Sequence, residues 1–465
     1  MVQLDGRNYQ QLYIMPKLSL ILTLVPIANS WAYPDSYEHL GLCSLAAMAR
    51  NEKFECTVID GFFLKLAYSD YINELLDLTQ KEAHCIVGFS IMAEEFLNDT
   101  INTIKFLHQK RPNITIIAGG MYPTWKAEEL LNLCPEIDYI LRGEADNSLI
   151  DFLNKFSQDA EMDTVDGIAY IKNHTFVQGR FPFPSPDITK LPLPVRDFAP
   201  VAVSRNNLLS VSTSRGCDYN CSFCGIHGFN GKRRSRTVEQ IVEEIDQLKK
   251  NFNPEFINIV DPTFIGSGEK GLLFFKRLGA ELRDLKANVK FSFEIRPDQV
   301  DRESLSIWKQ VGIEVIHIGV ESGYQPTLKR FNKQQNTSHV VNQAIETLEE
   351  LKIPYTIGFI MFHPWTTLDE IRANIEFSLT TLRGKNNFGL FNTLRMYAGS
   401  DLSKRWTGAF SPYPNVENYF VDPKVQLFFS KLVSKEIYEK IRYSIDQQET
   451  NLLYHLFLDL LNDIA

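Results

Sequence analysis

The chain has 465 residues, more than one domain usually holds, with 44% hydrophobic and 23% charged residues, proportions that exclude long disorder, collagen-like repeats and a membrane bundle. A net charge of −9 gives no overall field that would draw it to nucleic acid or anionic lipid. Seven thinly spread cysteines do not make a disulfide framework, which points to a reducing compartment, the cytoplasm.

The first marked element, KLSLILTLVPIANSWA (Lys17 to Ala32), has the cationic start and short apolar run of a signal peptide. It is too short to span a bilayer and begins well inside the chain. It therefore reads as a buried first strand ending at Pro26. From Leu18 to about Phe156, short β-branched runs alternate with segments of helical period, the pattern of a parallel sheet covered by helices. The strands are LSLILTLV, CTVID ending at Asp60, CIVGFSI from Cys85, ITIIAGG ending at Gly120, and IDYILRG ending at Gly143. Helices fall near SYEHLGLCSLAAMARN, YINELLDLTQKE, EEFLNDTINTIKFLHQK and WKAEELLNL. A ligand on such a doubly wound sheet sits beyond the carboxyl ends of its strands, here Pro26 to Ser30, Ser90 to Ala93, Gly119 to Pro123 and Gly143 to Glu144.

A hairpin, GIAYIKNHTFVQGR, leads into FPFPSPDITKLPLPVRDFAP, where six prolines in twenty residues favour extended chain laid over the surface. This linker divides the chain: 1–180 is the doubly wound domain, 181–205 the linker, 206–400 a second α/β series and 401–465 a helical tail. The second series has strands at LLSVSTS, FINIVD, VKFSFEIR, IEVIHIGVE, PYTIGFIMF and FGLFNTLRMY, alternating with helices. Six βα units suit an open, partial barrel. Aromatics of the tail, RWTGAFSPYPNVENYF, are candidates for a substrate pocket or for packing on the barrel.

Immediately after the first strand of that series, Cys217, Cys221 and Cys224 form C-x3-C-x2-C. Thiolates so spaced converge on one metal centre. Zinc would need a fourth ligand, for which His227 is available, but zinc ribbons use two cysteine pairs and no second C-x-x-C exists here. A 4Fe-4S cluster held by three cysteines keeps one iron open to a substrate or cofactor.

The motif, its place after the first strand of a partial barrel, and Phe223 before the last cysteine resemble the radical S-adenosylmethionine (SAM) enzymes. The resemblance implies that the open iron chelates SAM and passes it an electron, giving a 5′-deoxyadenosyl radical that abstracts hydrogen from unreactive carbon. KRRSRTVEQIVEEI resembles the family's basic turn and helix, with a solvated charge run as the plainer reading. By the same resemblance Asp261 in INIVDPTF holds the amino end of SAM, or else simply forms a turn before Pro262. Arg296 in FSFEIRPD takes the SAM carboxylate and Glu294 the ribose. Glu321 in HIGVESG stands at the mouth of the fourth strand, followed by LKRFNK; GFIMFHPWTT and RMYAGSDL complete a match running from about Leu208 to Leu402.

The first domain resembles the cobalamin-binding domain that precedes the barrel in one branch of this family, on VPIANSWAYPDSYEHLGLCSLAAMAR, VGFSIMAEEFLNDTINTIKFLH, IIAGGMYPT and IDYILRGEAD. Gly119 and Gly120 would let the backbone approach a flat ring, Gly143 and Glu144 begin a turn at the next strand end, and Ser90 and Thr124 would reach ring amides. The Asp-x-His-x-x-Gly motif that ligates cobalt from below is missing; His39, His84 and His108 fall at helix or strand-start positions. Cys43, Cys56, Cys85 and Cys134 read as buried small hydrophobes.

The implied cofactors are a 4Fe-4S cluster, SAM and cobalamin. The implied reaction is methylation of an unactivated carbon in a small molecule or peptide, with an external electron donor such as flavodoxin or ferredoxin, no nucleic acid and no membrane span. Cobalamin-dependent cyclisation or rearrangement, cobalamin-free hydrogen abstraction, and a zinc-bound adaptor are the alternatives.

Overall fold

The computed structural model describes residues 18–27, 37–80, 84–286, 288–385, 389–406, 408, 419–434 and 450–464. Ala28 to Ser36, including Ser30 at the first strand's end, and most of the aromatic tail from Thr407 to Asn418 lie outside the described residues.

The first sheet is built from β1 (Leu18–Leu24), β2 (Glu55–Asp60), β3 (His84–Ser90), β4 (Thr115–Gly119) and β5 (Tyr139–Leu141), all parallel, in the order β2-β1-β3-β4-β5. The apolar run considered as a leader is thus a central strand, six of its seven residues buried because helices cover both faces. The crossovers are α1 (Leu40–Asn51), α2 (Tyr68–Gln80), α3 (Leu97–Lys110), the short α4 (Met121–Trp125), and α5 (Ala127–Leu133). A further helix, α6 (Asp146–Ser157), follows β5 where the sequence had suggested only a turn. The expected hairpin, β6 (Ile168–Lys172) and β7 (Thr175–Gln178), extends the sheet antiparallel from β5. Strand order reverses between β1 and β3, and such a switch point opens a crevice at the carboxyl ends. The four cysteines of this region are buried and unpaired with one another.

The proline-rich stretch is no surface strap throughout. Pro186, Ile188 and Phe198 are buried, and Arg196 passes between the two halves of the molecule. Its guanidinium binds Glu38 ahead of α1, and Glu244 at 2.6 Å. After α7 (Ala199–Asn206) come β8 (Leu208–Val211), β9 (Ser214–Arg215), α8 (Ile226–Asn230), β10 (Arg234–Ser235) and α9 (Val238–Phe252). Thr237 and Gln240 close a capping box at the start of α9, and Val238, Ile241, Ile245 and Leu248 form its buried stripe. Glu244 lies on that same stripe, which is why it carries both Arg196 and Arg236.

The barrel sheet continues with β11 (Phe256–Ile259), α10 (Gly268–Leu285), β12 (Lys290–Ile295), α11 (Arg302–Val311), β13 (Ile313–Glu321), α12 (Gln325–Arg330), α13 (Ser338–Glu350), β14 (Tyr355–Phe359) and α14 (Leu368–Thr380). Its strands are parallel, in the order β14-β13-β12-β11-β8, an open barrel wall. The sixth expected strand is reduced to a single parallel bridge, Phe362 with Thr393, flanked by bonds from Met361 and Phe362 N–H to the Asn392 carbonyl. Gly389–Phe391 instead coil into a short 3-10 turn. Helices α15 (Pro423–Leu432) and Thr450–Asn462 follow.

Candidate active site between the strand ends and the cysteine loop

The three cysteines lie on the loop between β9 and α8, half-buried and free. The loop is fixed from several sides. Cys224 N–H donates to the Cys221 carbonyl at 3.0 Å, and Ser222 N–H to the Phe331 carbonyl at 3.1 Å. Phe223 packs edge-on to Phe331 with centroids 5.0 Å apart, so it anchors the loop to the barrel mouth. His227 Nδ1 lies 3.0 Å from the Cys217 carbonyl, a loop-bracing contact and not a fourth metal position. Among the described residues no group of three or more His, Cys, Asp or Glu side chains is set to hold a single metal ion.

Burial raises the thiol pKa values of all three cysteines, to about 12 for Cys224, while Lys333 draws each down and Arg296 does so for Cys217 and Cys221. Three free, half-buried thiols on one loop, each drawn down by Lys333, suit an anionic iron–sulfur centre, which would hold them as thiolates. Lys333 is the residue the sequence reading passed over. LKRFNK offers three cations, but Lys329 and Arg330 are exposed, whereas Lys333 is 6% exposed and bonds Glu321 Oε1 at 2.5 Å. Glu321 itself has φ +72°, rare for a side chain of its kind, beside a register shift in the β13–β14 ladder. That irregularity aims it into the barrel beside Gly319, toward Lys333 and Glu294.

Several expected ligand contacts are occupied within the fold. Asp261 is fully enclosed: one oxygen accepts Thr213 N–H at 2.7 Å, the other accepts the hydroxyls of Thr213 and of Ser214, the latter at 2.6 Å. It ties the end of β11 to the loop ahead of the cysteines. Arg296 is gripped by Asp298 through bonds of 2.9 and 3.1 Å and stacks on the Tyr219 ring at 3.8 Å, so it braces the cysteine loop from below. The basic turn is not a solvated run either. Arg233 donates to the Phe264 carbonyl at 2.9 Å, Arg234 to Glu144 and to the Pro186 carbonyl at 2.7 Å, and Arg236 to Glu244 and to the Ser212 carbonyl at 3.1 Å.

The first domain shows the same correction. Gly120 has φ +105°, and a side chain there would lie 2.7 Å from the Ile91 carbonyl; at Gly119 it would lie 3.3 Å from that of Leu141. Both glycines serve close packing of neighbouring strand ends. Thr124 Oγ1 donates to the Gly120 carbonyl at 2.7 Å and accepts Gly143 N–H at 2.8 Å, so its one donor is used within the fold. Ser90 Oγ sits 3.3 Å from His39 Nε2, whose Nδ1 caps α1 by accepting Leu42 N–H at 3.1 Å. Burial lowers the His39 pKa. Glu144 faces the barrel, where it meets Arg215 at 3.1 Å as well as Arg234.

A Met-lined cleft opens where the loops after β3 and β4 meet the barrel, bounded by Met92, Glu94, Met121, Tyr122, Met396 and Tyr397. Beside it α4 abuts the cysteine loop so closely that a side chain on Gly225 would lie 2.7 Å from Met121 Sδ. This is the carboxyl end of a doubly wound sheet, where such a sheet takes its ligand.

Residues 33–153 match the B12 binding domain family and residues 211–378 the Radical SAM superfamily. An uncharacterized methyltransferase of Pyrococcus horikoshii is 26% identical over 344 residues, 73% of this chain and 72% of its own. An anaerobic magnesium-protoporphyrin IX monomethyl ester cyclase of Synechocystis sp. is 24% identical over 68% of this chain and 62% of its own length. Among solved structures, the cobalamin-dependent S-adenosylmethionine radical enzyme OxsB, with aqua-cobalamin and S-adenosylmethionine bound, superposes with TM-score 0.74 at 19% identity, over 95% of this chain and 72% of that one. No helix among the described residues is long and apolar enough to cross a membrane. With a B12 binding domain joined to a three-cysteine barrel, the chain belongs to the cobalamin-dependent radical SAM enzymes, whose cofactors are a 4Fe-4S cluster, SAM and cobalamin.

Proposed function

We infer that this enzyme methylates an unactivated carbon of a small molecule or peptide in a biosynthetic pathway. The observation that carries the reading is the close approach of α4, at the carboxyl end of the first sheet, to the cysteine loop. Methyltransferase relatives support it. When bound, the cluster and SAM supply a hydrogen-abstracting radical and cobalamin a methyl carrier.

The chain's own residues supply position and charge. Cys217, Cys221 and Cys224 hold the cluster. Phe223 and Arg296 keep their loop in place, the latter through Tyr219. Lys333, the cation among the thiols, takes over from Arg296 as the group offered to the SAM carboxylate. Glu321 orients that ammonium. Reduction calls for an external donor of the flavodoxin or ferredoxin kind.

The cyclase relative favours a second reading, radical ring formation without methyl transfer. Loaded enzyme incubated with methyl-labelled SAM separates the two. Label in the corrinoid fraction supports methylation; corrinoid retained without label, alongside 5′-deoxyadenosine, supports cyclisation and overturns the first reading.

A further inference from the structure

Met121 and Trp125 stand at the two ends of α4, one turn apart, and so share a face. That face meets two glycines of the other half of the molecule: Gly225, directly behind Cys224, and Gly228 in α8. Met121 Sδ fills the place of a Gly225 side chain, and a side chain on Gly228 would lie 3.2 Å from Trp125 Cζ2. The tightest contact is with Gly399, where a side chain would come 2.3 Å from both Cε2 and Nε1 of the indole. Gly399 also has φ +84°, so glycine is required there by the backbone and by the ring alike.

Gly399 belongs to the turn from Tyr397 to Leu402, closed by Ser400 N–H on the Tyr397 carbonyl at 3.1 Å. Leu402 N–H in turn donates to the Ser222 carbonyl, between the second and third cysteines, at 2.9 Å. Trp125 therefore bears on the cysteine loop twice, at its exit through Gly228 and near its middle through this turn. On its own side α4 has no slack. It opens two residues after β4 ends, and Thr124 ties it to the Gly120 carbonyl and to Gly143 N–H behind β5. Phe181 stands against the indole with centroids 5.8 Å apart. A buried indole N–H normally finds a hydrogen-bond partner. That of Trp125 is buried and makes no hydrogen bond among the described residues, so the ring is held here by shape. Methionine adapts to its neighbours, whereas an indole keeps its width.

We propose that Trp125 is a positioning residue, the spacer that fixes the separation between the carboxyl end of the first sheet, where such a sheet takes its ligand, and the cysteine loop. The proposal rests on the methyl-transfer reading and adds the residue that sets its geometry. Transfer between groups held by two parts of a chain depends on their being kept at one distance and orientation, and a rigid ring seated on three glycine positions of the facing half is suited to keep them so.

The test uses cluster- and cobalamin-loaded protein without SAM, reduced with dithionite so that cob(II)alamin and the cluster each carry an unpaired electron. Electron paramagnetic resonance then reads how much faster the cobalt signal relaxes beside the reduced cluster than beside the oxidised one, an enhancement that falls steeply with distance. In wild type the enhancement should be present. Trp125→Ala should displace it several-fold and spread it over a range of rates, with iron and corrinoid contents unchanged. Trp125→Phe, which keeps a flat ring, should restore part of the wild-type value, and it serves alone if the alanine variant does not fold. A wild-type enhancement in the variants, even with a lowered denaturation midpoint, reduces Trp125 to plain packing and overturns the proposal. Loss of iron or corrinoid from the variants makes Trp125 a cofactor contact and overturns it too, as does wild-type protein that shows no enhancement. Failure of the methyl-transfer reading is seen separately, as methyl-labelled SAM that leaves no label in the corrinoid of wild-type enzyme.

Discussion

Arg215, two residues ahead of the first cysteine of the loop, clamps Asp146 at the start of α6 through hydrogen bonds of 2.6 and 3.1 Å. With Glu144 and Arg234 this makes a four-residue ionic latch between the first domain and the foot of the cysteine loop. Asp146 also sits in the first turn of α6, where a carboxylate suits the helix dipole.

Cutting the latch on one side leaves charges buried without partners. Arg215→Met should cost about 3–5 kcal/mol in chemical denaturation. Arg215→Met combined with Asp146→Leu and Glu144→Leu should recover part of that loss. A single variant within about 0.5 kcal/mol of wild type would mean that the latch does not join the two parts in solution.

Alanine at Cys217, Cys221 or Cys224 should each abolish iron retention and SAM cleavage. The measurements are iron and sulfide content after anaerobic reconstitution, and 5′-deoxyadenosine by chromatography. Undiminished 5′-deoxyadenosine in any one of the three would remove that cysteine from the cluster.

Asp261→Asn should act on stability, because its two oxygens accept from Thr213 and Ser214 inside the fold. The expected cost is about 1–3 kcal/mol, with SAM affinity in the folded protein changed less than about twofold. Intact stability with a large loss of SAM affinity would return Asp261 to the ligand.

Lys333→Met should weaken SAM binding by about tenfold or more, with Lys333→Arg restoring most of it, whereas Arg296→Met should chiefly alter the loop and the cluster's spectrum. The reverse ranking in equilibrium SAM binding would restore Arg296 as the carboxylate partner.

Glu294 gives a pH dependence of known sign. Its folded pKa is raised from 4.5 to about 7, so the folded chain holds a proton that the unfolded chain releases. The protonated carboxyl favours folding below about pH 4.5, and that advantage is lost as pH rises toward 7. Glu294→Gln should therefore flatten the fall of stability across this interval. Denaturation midpoints measured from pH 4 to 8 check it; an unchanged slope in the variant would place the titration elsewhere.

Much of the architecture was legible because its signals are local. The period of apolar residues marks five strands of the first sheet and five of the barrel, and the C-x3-C-x2-C spacing marks the metal loop, since a loop that short must wrap whatever its thiols hold. Helix α6 was missed because Gly143 and Glu144 read as a turn, which they are, with a helix opening directly behind them. FGLFNTLRMY has strand composition, yet among the described residues it pairs through a single bridge.

Residue types by themselves determined that this protein has a three-thiolate loop, glycines at strand ends and carboxylates and arginines near the barrel mouth. Which of those groups face a ligand was decided only by tertiary structure. Asp261, Arg296, Thr124 and Glu144 carry the right chemistry at the right strand ends, yet each meets a partner within the fold: Asp261 Thr213 and Ser214, Glu144 Arg215 and Arg234, Thr124 Gly120 and Gly143, and Arg296 Asp298 and the ring of Tyr219. A buried polar group must find a partner, and sequence position does not say whether that partner is the fold or the substrate. Lys333 and Glu321 are paired at the barrel mouth beside one irregular register step between β13 and β14, a feature visible only once the strands are paired.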